Sequence, residues 1–169
     1  RLSAALSRAC ETTFNCLTVD GDASTNDMVL VLANGASEVE PTDADLDEAL
    51  TTVCLSLTRQ IARDGEGATK LIEVVVSGSP EPRRIARTIA ESPLVKTAMF
   101  GCDPNWGRIM AAAGRAGVPF DPESARLTVV SGGEEHVLFE GGTAASFDAR
   151  RVSTALKSDV VRIELDNGF

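Results

Sequence analysis

Apolar residues recur at helical steps through the first stretch of the chain, at Leu2, Leu6, Ala9, Thr13 and Leu17, and predict a helix over residues 2–17. An unbroken apolar run, "MVLVLAN" (28–34), closed by Asn34-Gly35, predicts a buried strand. The clearest helical signal follows. Thr42 and Asp45 form a T-x-x-D capping pattern behind Pro41, and Leu46, Leu50, Val53, Leu57 and Ile61 recur every three or four positions. That amphipathic helix ends at "RDGEGATK". "LIEVVVSG" (71–78) predicts a second buried strand, and "SPEP" (79–82) marks a lobe boundary or a tight crossing. "EPRRIARTIAES" predicts a helix with Pro82 near its start, Ile85 and Ile89 on one face, and Pro93 as its stop. "LVKTAMFG" is expected to form a third strand, and "GCDPNWGRIMAAAGRAG" a turn leading into a helix. Then come strands at "RLTVVS" and "EHVLFEGG", a short helix over residues 147–157, and a terminal strand. Alternating strands and helices, without repeats, define an α/β class.

Composition adds exclusions. The 169 residues, 43% hydrophobic and 24% charged, are enough for one good core or a core with a smaller lobe attached. A net charge of -9 repels nucleic acid and anionic membranes, so neither is expected as a partner. No apolar run approaches the ~20 residues needed to span a bilayer. Four cysteines, Cys10, Cys16, Cys54 and Cys102, lack C-x-x-C spacing and sit in helical or apolar patterns, which predicts reduced core thiols. The single histidine, His136, rules out a histidine-rich metal site within the sequence. It lies in the alternating "EEHVLF", and the expectation is an ordinary strand residue rather than a base. Arg1 opens inside a helical pattern and "VVRIELDNGF" stops just after a strand, so both ends are expected to be cut from a longer polypeptide.

The polar stretch "TVDGDASTND" (18–27) invites a metal or phosphoryl reading. A calcium loop counted from Asp20 needs glycine at its sixth position and glutamate at its twelfth. Those positions hold Thr25 and Val31, so the calcium reading fails. A phosphatase of the haloacid dehalogenase type is a better rival, with Asp20 attacking phosphorus and Asp22 as general acid. It also requires a downstream carboxylate cluster to hold Mg²⁺, and no Asp-Asp pair occurs in the chain. "DGEGATK" (64–70) lacks the spacing of a phosphate loop. It presents one carboxylate, Glu66, between Gly65 and Gly67 at the end of a strong helix. Such glycines allow close approach to a ligand, while an ordinary helix-ending turn with a solvated glutamate has the same pattern. In "GCDPNWGR" (101–108), Asp103-Pro104-Asn105 is turn and helix-entry chemistry, and Trp106 with Ile109 can pin the helix to the sheet.

Three stretches, "TFNCLTVDGDASTNDMVLVLANG", "DGEGATKLIEVVV" and "SPLVKTAMFGCDPNWGRI", resemble in this order the β-chain of the glutamate N-acetyltransferase/ornithine acetyltransferase family of arginine biosynthesis. The resemblance runs from about residue 4 to the C-terminus and is strongest through residue 110. It implies a layered α/β sandwich of the self-processing N-terminal-threonine type. Residues 1–78 would form the active-site lobe without its nucleophile segment, and residues 79–169 a smaller C-terminal α/β lobe without its last strand and tail. It implies autocatalytic cleavage before a threonine, which then carries an acetyl group from N-acetylornithine to glutamate by a ping-pong route, its own freed amine serving as base. That nucleophile is expected upstream of Arg1, so no catalytic residue is expected in this chain. The oxyanion-hole pair and a substrate-contacting lysine would lie on an α-chain, and a C-terminal Asn and Ser/Thr beyond Phe169. Only Glu66 carries over, as a contact to the amino-acid substrate. The resemblance further implies an α₂β₂ heterotetramer in the cytoplasm, no bound cofactor or metal, and acetyl-CoA as an additional donor in bifunctional members. Asp20, Asp22, Asn26 and Asp27 belong to a family signature whose side chains can cap the turn between helix and strand; no contact to substrate is assigned to them. The phosphatase using Asp20 and Asp22, and a non-catalytic α/β interaction domain, stay open as alternatives.

Overall fold

The computed structural model describes residues 1–168. Two compact units divide the chain, Arg1–Glu66 and Gly67–Phe169. The first is helical. Helix α1 spans Leu2–Glu11, a short 3₁₀ turn follows at Phe14–Cys16, and helix α2 spans Asp43–Arg63. The capping box reads as the sequence predicts. Thr42 Oγ1 accepts the Asp45 N–H at 3.2 Å, and the Asp45 carboxylate accepts the Thr42 N–H at 2.9 Å. Helices α1 and α2 pack together, and the side chains buried in this unit are small: Ala5, Ala9, Thr13, Cys54 and Thr58. Arg8 clasps Asp47 with two hydrogen bonds, at 2.7 and 2.9 Å, tying the helices together.

The predicted strand over 28–34 does not form. The segment has no ladder partner among the described residues, and Met28, Leu30 and Leu32 are exposed. A strand needs a neighbour for its N–H and C=O groups, and here none is supplied. The face that α2 buries also differs from its apolar stripe: Cys54 and Thr58 are covered, whereas Val53, Leu57 and Ile61 are exposed.

All described strands lie in the second unit. Its order is β1 (Leu71–Ser77), helices α3 (Pro82–Ala90), α4 (Pro93–Phe100) and α5 (Trp106–Gly114), strands β2 (Arg126–Ser131), β3 (Glu134–Glu140) and β4 (Thr143–Ala144), helix α6 (Ala149–Ala155) and strand β5 (Val160–Asp166). The sheet order is β1-β5-β2-β3-β4, parallel only between β1 and β5, which makes a mixed α/β fold. The "SPEP" stretch joins β1 to α3 inside this unit, because β1 is bonded in register along β5 and belongs to the sheet. Gly132 and Gly133, both at positive φ, turn β2 tightly into β3.

The core lies between the sheet and the helices. Alternate residues of β5, Val161, Ile163 and Leu165, point into it and meet Ile85 and Ile89 of α3, Ile109 of α5 and Leu127 and Val129 of β2. Full burial of each such side chain contributes roughly 1.5–3 kcal/mol. Trp106 stacks on Phe139 with ring centroids 5.3 Å apart, pinning the start of α5 to β3. Residues 94–101, expected as a strand, lie instead in α4 and its C-cap Gly101. Ser92 Oγ accepts the Val95 N–H at 3.4 Å, Pro93 takes the first helical position, and Val95, Ala98 and Met99 make a buried helical face. Pro93 thus starts one helix rather than merely stopping another.

Candidate functional site

Glu66 stands on the turn that ends the 21-residue α2. The helix closes through Asp64, whose N–H bonds the carbonyls of Gln60 and Ile61 at 3.0 and 3.2 Å. Beyond Glu66 the backbone reverses at Gly67, where φ is +71. Nothing lies within 4 Å of the place a Cβ would take there, so conformation and not space demands the glycine. The Glu66 side chain is exposed on this turn. Glu66 thus lies, exposed, between the end of a long helix and a glycine at positive φ.

Within the second unit, the end of "GEGATK" meets the "GCDPNWGR" turn. The Lys70 ammonium donates to the Leu156 carbonyl, the C-cap of α6, and lies 3.4 Å from Cys102 Sγ. Cys102 Sγ itself is 3.5 Å from Leu156 O. Cys102 adopts a left-handed backbone, φ +53, between α4 and α5. Neither Lys70 nor this cluster is evident in the sequence, since its members lie 32 and 86 positions apart and no spacing rule links them.

The rest of "GCDPNWGR" satisfies itself. Asn105 Oδ1 accepts the Arg108 N–H at 3.2 Å, and its Nδ2 donates to Asp103 at 3.0 Å. The Arg108 guanidinium donates to Leu94 O and Thr97 Oγ1 on α4, both at 3.2 Å. The structural role expected for this turn is what the geometry shows.

The "DGDASTND" loop is likewise a set of local caps. Asp20 Oδ1 accepts the Asp22 N–H at 2.9 Å, and Ser24 Oγ accepts those of Asn26 and Asp27 at 3.3 and 3.2 Å. No strand leads into Asp20, and no group of three or more potential metal ligands occurs among the described residues. The strand and carboxylate cluster that a phosphatase would need are not assembled here. His136 sits on β3, as expected, with Nε2 buried and 3.3 Å from Glu134 Oε2 but not aligned for a hydrogen bond. Arg151 takes Glu134 at 2.9 Å and holds that carboxyl below its ordinary range. All four thiols are free; Cys54 is buried as expected, whereas Cys16 is exposed. No helix among the described residues is long and apolar enough to cross a membrane.

A mixed-sheet α/β protein with an exposed carboxylate on a glycine turn, and no group of three or more potential metal ligands among the described residues, is the class that fold and site define. The chain belongs to the ArgJ family, whose model matches residues 1–168. It is 49% identical, over 98% of its length, to the arginine biosynthesis bifunctional protein ArgJ of Parasynechococcus marenigrum. It is 48% identical, over 92% of its length, to a glutamate N-acetyltransferase of Methanopyrus kandleri. The chain spans only 40% and 42% of those two relatives. The crystal structure of the arginine biosynthesis bifunctional protein ArgJ from Bacillus halodurans superposes with a TM-score of 0.91 at 42% identity, covering 99% of this chain and 82% of that one.

Proposed function

We propose that this chain is the β-chain portion of an enzyme that moves an acetyl group from N-acetylornithine to glutamate. The observation that carries the proposal is the match along residues 1–168 to a family with a glutamate N-acetyltransferase among its members. Glu66, on its exposed glycine turn, is the substrate contact in this reading. The nucleophile is a threonine hydroxyl in the part of the relatives that this chain does not span. It attacks the acetyl carbonyl, the ornithine amine leaves, and the acetyl-threonine is then attacked by the amine of glutamate, a ping-pong sequence. Acetyl-CoA serves as an additional acetyl donor. An α-chain from the same precursor completes the site in an α₂β₂ assembly. Four unpaired cysteines accord with a reducing compartment, and we place the enzyme in the cytoplasm.

Ornithine offers cationic ammonium groups, and a carboxylate binds one through charge-assisted hydrogen bonds. Their strength depends on enclosure, because solvent screens an exposed pair. In the full-length enzyme Glu66→Gln keeps the shape and removes the charge. If the α-chain encloses Glu66, kcat/KM for N-acetylornithine falls roughly tenfold to a hundredfold while self-cleavage and folding persist. A change of about twofold or less, as for an ordinary surface substitution, would remove Glu66 from the site. Steady-state kinetics with processing followed on a gel makes the distinction.

A further inference from the structure

Two nucleophilic side chains from distant parts of the second unit meet beside the end of α6. The backbone at Lys70 is fixed by the start of β1, where the Leu71 N–H donates to Asp159 O at 2.8 Å. The backbone at Cys102 is fixed by the end of α4. Its N–H donates to Met99 O at 3.2 Å, and the Asp103 N–H to Ala98 O at 2.9 Å. The Lys70 ammonium donates to the Leu156 carbonyl, and Nζ lies 3.4 Å from Cys102 Sγ. Sγ is in turn 3.5 Å from Leu156 O. A lysine gives up rotamer freedom to be held in this way. A gap of roughly 3–3.5 Å is that of two atoms poised to react. Both side chains are half-buried, so small solutes can reach them. The α1 and α2 thiols differ: burial pushes the Cys10 thiol up, and Cys54 is buried.

An amine and a thiol are both electron-rich and do not combine as they stand. Oxidation turns the sulfur into an electrophile. We propose that Lys70 and Cys102 are a modification site, joined by peroxide in a thiol-reversible sulfenamide that ties the start of β1 to the α4–α5 turn. The Cys102 thiolate attacks one oxygen of hydrogen peroxide. The O–O bond breaks, an S–O bond forms, and water leaves, giving the sulfenic acid. Lys70 Nζ, having shed a proton to water, then attacks the sulfur. An S–N bond forms, the S–O bond breaks, and hydroxide departs with the second amine proton as water. The sum is thiol, amine and one peroxide going to sulfenamide and two waters, with two electrons passing from sulfur to peroxide. A free thiol reverses it by attacking the sulfur and expelling the amine, and a second thiol releases Cys102 from the mixed disulfide.

The test is peroxide treatment of the full-length protein, followed by quenching, alkylation of free thiols, digestion and mass spectrometry. A peptide pair joined through Lys70 and Cys102 is expected, lighter than the sum of its parts by two hydrogens, about 2 Da. Dithiothreitol should abolish it and return both peptides. Dimedone, a trap for sulfenic acids, supplies the second readout. Lys70→Arg keeps a cation that can donate to the Leu156 carbonyl but is a far poorer nucleophile, so dimedone labelling of Cys102 should rise several-fold over the parent. Cys102 left fully alkylatable, or carried on to sulfinic acid with Lys70 free, would overturn the proposal. Equal dimedone labelling in parent and Lys70→Arg would do the same. Should the variant fail to fold, the parent's peptide map decides by itself: the joined pair supports the bond, and its absence overturns it.

Discussion

At Asp20 the carboxylate that a phosphoryl-transfer enzyme would aim at phosphorus is occupied by the amide of Asp22. An amide oxygen can accept the same bond, so shape rather than charge matters there. Asp20→Asn is therefore expected to keep acetyl transfer within about twofold of the parent, and a larger loss in steady-state assays would show that the charge does more than close a turn. Ile109 illustrates the opposite case. Its side chain is completely buried in the core of the second unit, against which Trp106 at the start of the same helix also packs. Ile109→Ala removes three heavy atoms and leaves a cavity that the surrounding sheet fills only in part. A loss of roughly 2–5 kcal/mol is expected, read as a lowered midpoint in urea unfolding of the assembled enzyme; a loss below about 1 kcal/mol would mean the core collapses freely around the gap.

Helix α2 begins with a reciprocal contact whose pH dependence can be worked out. Hydrogen bonds from the Thr42 hydroxyl and then the Thr42 N–H hold the Asp45 carboxyl below its ordinary range. A folded value lowered in this way gives a contribution that is complete above the ordinary aspartate range and is lost as pH falls through the lowered value. Thr42→Ala is thus expected to lower Tm by a few degrees near neutrality, with the gap from the parent narrowing in acid; a gap that widens in acid would contradict this. The same local chemistry made most helices legible in the sequence: Thr42 with Asp45 announced α2, and Pro82 announced α3. It is present at Ser92-Pro93 too, but the apolar content of "LVKTAMFG" (94–101) points to a strand where α4 forms. The segment 28–34 fails differently. Its pattern is strand-like, but a pattern cannot supply the neighbour that a ladder requires. The Glu66 turn was visible through its glycines, because backbone freedom is written in residue type. The Lys70–Cys102–Leu156 cluster was not, because it exists only once distant elements pack.

At the scale of the whole molecule, the apolar surface is unevenly settled. The second unit buries most of its large side chains, leaving Val75, Leu94 and Phe100 exposed, but in the first Met28, Leu30 and Leu32 are 80%, 72% and 85% exposed, and Val53 on α2 is 57% exposed. An apolar segment without a strand partner and an exposed apolar helix face each invite association. The chain also spans only 40% of the Parasynechococcus relative, so a large remainder exists in that protein to cover such a surface. If the remainder of the precursor covers it, two opposite outcomes follow from one substitution. The chain expressed alone is expected to form soluble aggregates or to precipitate, and the pair Leu30→Lys with Leu32→Lys should shift it toward monomer in size-exclusion chromatography with light scattering. Placed in the full-length precursor, the same pair should hinder assembly, because two ammonium groups would have to be buried without partners where apolar side chains belong. Co-expression of the unmodified chain with the remaining segments should restore a soluble complex of defined mass. A monomeric parent chain that unfolds cooperatively, together with normal assembly of the lysine variant, would show that residues 28–32 face solvent in the enzyme as well.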